Sequence, residues 1–170
     1  MKVLVPLARS ELLDLAIPAV RKLLAAAPDA GLHLLTVLDP GAVHDALERA
    51  PDHVTPVLAG VAGPVVQPAI PRIVETHGEA MERMRIEAEE WLQSLADEHF
   101  PGVHAEPHIA WSRHPARAIV RTADELDADV IVMATHGRAG VGRLIAGSQT
   151  EKVIRRTSRP VLVVGPEFES

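Results

Sequence analysis

The chain has 170 residues, 47% of them hydrophobic, with no cysteine and a formal charge of −6. That length suits one domain spanning 1–170 with a substantial core, and the missing thiols exclude disulfides, Cys-ligated zinc and a cysteine nucleophile. The acidic balance disfavours a general nucleic-acid role, which needs basic clusters, and two Trp, two Phe and no Tyr provide no base-stacking platform.

Residues 2–7 form the first apolar run and predict a buried strand. Met1 leads straight into it without a signal-peptide layout, so the cytoplasm is the expected location. Ser10 is placed to cap a helix running to about Ala27, with Leu13, Ala16, Ile17, Val20 and Leu24 on one face. Pro18 within that pattern removes a helix hydrogen bond and predicts a kink. Residues 32–38 read as the second strand. Then the pattern breaks: six of the fourteen prolines (Pro40, Pro51, Pro56, Pro64, Pro68 and Pro71) fall between Asp39 and Pro71. A short helix over about 42–49 followed by an irregular excursion, 40–70 in all, is the expectation.

Thr76 and Glu79 have capping-box spacing for a long helix ending near Phe100, whose Met81, Met84, Ala88, Trp91, Leu92 and Leu95 recur at helical intervals and predict a core face. Residues 103–111 give a weaker strand. Pro115 suits the first turn of a helix to about Leu126. No apolar run approaches the ~20 residues that span a bilayer, so no membrane insertion is expected.

The stretch 129–165 is the most informative. An apolar strand, 130–134, feeds a loop containing Gly137, Gly140 and Gly142 and ending at Gly147-Ser148. Ser148 and Glu151 then form a second capping box, and 161–164 closes the pattern as a strand. Strand, glycine loop, helix, strand is a layout that offers backbone amides to an anion such as a nucleotide phosphate. Strands and helices alternate throughout, which predicts an α/β domain whose parallel sheet is covered by helices on both faces. In such open sheets the ligand sits at the carboxyl ends of the strands. The loops after the first and fourth strands both lie there.

The segments VLVPL…SELLDLAIPAV, HLLTVLD and DADVIVMATHGRAGVGRLIAGSQTEKVIRRTSRPVLVV resemble the universal stress protein family, over nearly the whole chain apart from the excursion. The family's nucleotide motif is G-x-x-G, nine residues, then G-[ST]. Gly137, nine residues and Gly147-Ser148 supply its second half, while Ala134 stands at its first glycine. The resemblance implies an open five-stranded sheet of order 3-2-1-4-5, adenine nucleotide alpha hydrolase-like. It also implies ATP or AMP, with or without Mg2+, as ligand. Gly137, Gly147, Ser148, Gln149 and Thr150 would then approach the phosphates. Val37 would meet the adenine through its backbone, and Pro6 and Leu7 would line the adenosine pocket beside Met133 and Ala134. Arg138 and Arg143, in the loop, would screen phosphate charge. ATP-binding members usually carry P-x-D after the first strand; here the segment is Pro6-Leu7-Ala8. Replacing that carboxylate by a methyl costs about 1.5–3 kcal/mol, or roughly 10–100-fold in affinity.

In the implied order 161–164 is an edge strand. An apolar, uncharged edge invites pairing with a twofold mate, so a homodimer through Val161, Leu162, Val163 and Val164 is expected. His136 has no evident catalytic partner and reads as a loop residue or polar ligand contact. The remaining histidines are spread along the chain, and neither a catalytic nor a metal site is expected. Asp124, Asp127 and Asp129 read as solvated surface. The resulting expectation is a homodimeric adenine-nucleotide-binding stress regulator or sensor, at most a slow ATP hydrolase. The alternative is a stress adaptor that binds no nucleotide and acts through an unidentified protein partner.

Overall fold

The computed structural model describes residues 1–9, 12–43, 76–135 and 149–165. The apolar runs become strands β1 (Lys2–Pro6), β2 (Gly31–Leu38), β3 (Ala105–Trp111), β4 (Val130–Ala134) and β5 (Val161–Val164). They pair in parallel throughout, in the order β3-β2-β1-β4-β5. Helices α1 (Leu12–Ala26), α2 (His77–His99), α3 (Pro115–Glu125) and α4 (Gln149–Ile154) alternate with the strands. The expected architecture and strand order are therefore present.

Successive strand residues point to opposite faces of a sheet. Val3, Val5, Leu32 and Leu34 pack with α1 and α2 on one face. Leu4, Leu35, Ile131 and Met133 pack with α3 and α4 on the other. The central strands β1, β2 and β4 are buried on both faces, and this is why they lack regular polar alternation.

The α2 capping box forms as expected: the Glu79 amide donates to Thr76 Oγ1 at 3.2 Å, and the Thr76 amide donates to Glu79 Oε2 at 2.8 Å. Ala80, Ala88, Leu92, Leu95 and Ala96 are the buried residues of α2, while Met81, Met84 and Trp91 of the expected core face are half-buried. α1 continues through Pro18, with Ile17, Ala19 and Val20 buried around it. Pro115 occupies the first turn of α3. A helical turn covers 40–43; the rest of the proposed 42–49 helix and most of the excursion lie outside the described residues.

The three aspartates before β4 do more than face solvent. Asp127 ends the α3 connection in the left-handed region at φ 53°, which Asp tolerates better than most residues. Arg159, just before β5, donates from Nη1 to Asp127 Oδ1 at 2.7 Å and from Nε to Asp124 Oδ1 at 3.4 Å. The Lys2 amide donates to Asp129 Oδ2 at 2.6 Å. A parallel sheet brings the starts of β1, β4 and β5 to one edge, so residues distant in sequence meet there. Among the described residues no helix is long and apolar enough to cross a membrane.

Leu92 is fully buried, so Leu92→Ala is expected to cost about 2–5 kcal/mol in urea unfolding. The Arg159 guanidinium holds the Asp127 carboxyl below its usual 3.8. The folded state therefore favours the carboxylate. Its contribution is present above the unfolded value and lost as pH falls through the lower folded one. Arg159→Leu should lower Tm modestly at pH 7, since Asp127 is 81% exposed and the pair is screened by water. Thermal melts should show the wild-type advantage shrinking below about pH 4.

Candidate functional site

In this strand order the chain direction across the sheet reverses at β1, with β2 on one side and β4 on the other. Connections leave β1 and β4 toward opposite faces, which opens a crevice at their carboxyl ends. A cavity of about 410 Å³ occupies that place. β1 contributes Pro6, Leu7 and Ala8; β2 contributes Leu35 and Val37; β4 contributes Met133, Ala134 and Thr135. The first turns of three helices close it, through Leu12, Leu13 and Ala16 of α1, Pro115 and Ile119 of α3, and Gln149 and Thr150 of α4.

The walls are overwhelmingly aliphatic. Among the described residues the polar lining side chains are Thr135, Gln149 and Thr150, all on the β4–α4 side. None of these lining side chains is ionisable, so they offer no general acid or base. Such a chamber desolvates a flat, weakly polar body and presents hydrogen-bonding groups at one end of it.

Val37 adds a backbone element. The Leu7 amide donates to the Leu35 carbonyl at 2.7 Å, the last rung between β1 and β2. In a strand, residues two apart direct their N–H and C=O groups to the same side. The backbone groups of Val37 therefore point to the side of β2 from which β1 has already departed. A planar ligand with adjacent donor and acceptor could complete the interrupted ladder there.

Of the expected site residues, Pro6, Leu7, Val37, Met133, Ala134, Gln149 and Thr150 all line this one cavity. Gly137, Arg138, Gly147 and Ser148 lie outside the described residues, as do Arg143 and His136. Ala8 lines the cavity and is exposed, so a methyl faces the space where an acid would project. Sequence reading passed over Leu12, Leu13, Ala16, Leu35, Pro115, Ile119 and Thr135. The signal was available in the element order, since every helix that follows a parallel strand begins at the carboxyl edge.

The family model described as the universal stress protein family matches residues 1–165. The chain belongs to that family. Universal stress protein MJ0531 of Methanocaldococcus jannaschii is 38% identical over 86 residues, which are 51% of this chain and 44% of that protein. The match thus spans less than half the length of that curated relative. Among solved structures, MJ0577 of the same organism superposes with a TM-score of 0.64 at 22% identity, covering 98% of this chain and 96% of that one. The universal stress protein from Archaeoglobus fulgidus in complex with dAMP superposes with a TM-score of 0.53 at 17% identity, covering 96% and 97%. At these identities the structural likeness is one of fold.

Proposed function

We propose that this chain binds an adenine nucleotide, ATP or AMP, in the cavity at the carboxyl ends of β1, β2 and β4. We further propose that it acts as a homodimeric regulator or sensor in a stress response. The observation that carries the ligand reading is the cavity itself. Its volume of about 410 Å³ lies within the ~300–1,000 Å³ common for small-molecule sites. It is apolar at the base-sized end, it has polar groups at the other, and the free edge of Val37 overlooks it. The dAMP complex of the Archaeoglobus fulgidus relative supports the same choice. In this reading Leu7, Met133 and Ala134 sandwich the adenosine. Gln149 and Thr150, with Gly137, Arg138, Gly147 and Ser148, approach the phosphates. Mg2+ would ride on phosphate oxygens and water, as it commonly does. The cytoplasm, where such nucleotides are abundant, is the proposed location. The family match over 1–165 supports a single domain, 1–170, with the excursion inside it.

The dimer reading rests on β5. Among the described residues it pairs only with β4, and Leu162 and Val163 are 38% and 41% exposed. Two adjacent exposed aliphatic side chains on an edge strand are an association surface unless something covers them.

Isothermal titration should give saturable heat with ATP or AMP, and Ala8→Asp should tighten binding by about 10–100-fold through a restored charged contact. If neither protein binds, the nucleotide reading fails. If only Ala8→Asp binds, the natural chain is the nucleotide-free adaptor, a reading that the methyl of Ala8 in the cavity wall favours. Sedimentation should show a dimer that Val163→Asp converts to monomer. A monomeric wild type would end the dimer proposal.

A further inference from the structure

At the opposite end of β2 lies a second constellation. β2 and β3 are in register with His33 opposite Glu106, and His108 follows two residues along β3 on the same face. His33 is more than seventy residues from the other two in sequence, and only strand pairing brings it to them. His33 Nδ1 lies 3.0 Å from His108 Nε2 and 3.4 Å from Glu106 Oε2, and one donor atom from each residue fits within a 4.8 Å span. We propose that His33, Glu106 and His108 bind a late first-row divalent transition ion such as Zn2+, on three protein ligands with a fourth position open.

The geometry is close to what the ion requires. Ligand atoms at ~2.0–2.1 Å in a tetrahedron stand ~3.3 Å from one another. The two separations from His33 Nδ1, 3.0 and 3.4 Å, bracket that value, and Glu106 and His108 offer ligand atoms within 4.8 Å of each other. Without an ion, one hydrogen on His33 Nδ1 can be shared between His108 Nε2 and Glu106 Oε2; with an ion in its place, each of the three groups gives a lone pair to one centre. A cation is the natural occupant of a point on which three lone pairs converge. Burial pushes both imidazoles below their usual 6.5, against the opposing pull of Glu106, with Lys2 and His104 adding to the shift at His33 and His33 adding to it at His108. The neutral imidazole is the ligating form. The set has two nitrogens, one oxygen and no sulfur, which suits Zn2+ and its neighbours better than Mg2+ or Ca2+.

Access comes from outside the nucleotide cavity. A separate hollow of about 290 Å³ opens where the chain enters β2 and β3, and His33 and Glu106 form part of its wall, with Asp29 and His104. The His33 side chain is 8% exposed and that of Glu106 is 53% exposed, so the ion would sit at the floor of the hollow with room for water. Sequence reading expected no metal site. The run His104-Ala-Glu-Pro-His108 held part of the signal, but its partner His33 is joined to it only by strand pairing.

The test is calorimetric titration of the tag-free, chelator-treated chain with Zn2+, without nucleotide. One equivalent should bind saturably, and Co2+ in its place should give the visible absorption of a four-coordinate site. Glu106→Gln and His108→Gln should each weaken Zn2+ binding by at least about tenfold, while the controls His99→Gln and His114→Gln leave it unchanged. His33→Gln should behave like the first pair; if it fails to fold, the more exposed Glu106 and His108 variants carry the decision. Absence of saturable binding would overturn the proposal. So would affinity unchanged in Glu106→Gln and His108→Gln, which would assign the ion to other histidines.

Discussion

All five strands run the same way, and most of the molecule's properties follow from that one constraint. Parallel pairing sends the chain back across a face between strands, so the central strands β1, β2 and β4 are buried on both faces and largely apolar, while the edge strands β3 and β5 are more open. It also gathers the strands' carboxyl ends, and the first turns of α1, α3 and α4, along one edge. The reversal of order at β1 then prevents the connections from closing over the middle of that edge. The cavity is thus a product of topology before it is a product of any particular side chain.

Side chains decide what the cavity can do. Its described walls are aliphatic, with Thr135, Gln149 and Thr150 as the polar exceptions, and they supply solvation change and shape in place of reactive groups. That suits recognition. Ala8 puts a methyl into the cavity wall, so at that position the wall offers shape without a charged contact.

The other end of the same sheet has a different chemistry. The starts of β1, β4 and β5 are tied by Lys2, Asp127, Asp129 and Arg159, while His33, Glu106 and His108 gather where β2 meets β3. β2 therefore lines two cavities separated along its length, with Val37 at one and His33 at the other. A ligand at either site would tie β2 to neighbouring elements.

Much of this was legible in the chain itself. Apolar runs without polar alternation specified buried parallel strands, and Thr76 with Glu79, and Pro115, marked helix starts, because these are short-range effects of backbone geometry and capping. Pro6, Leu7, Val37, Met133 and Ala134 could be named as one group only through the family resemblance, and the parallel topology brings them to one cavity. Distances between strands could not be read. Arg159 found Asp127 only because parallel strands share an edge. His33 likewise met Glu106 and His108 through register. Sequence carries the local preferences of each segment; tertiary structure alone chose which segments face one another, because that choice is set by packing all the apolar faces at once.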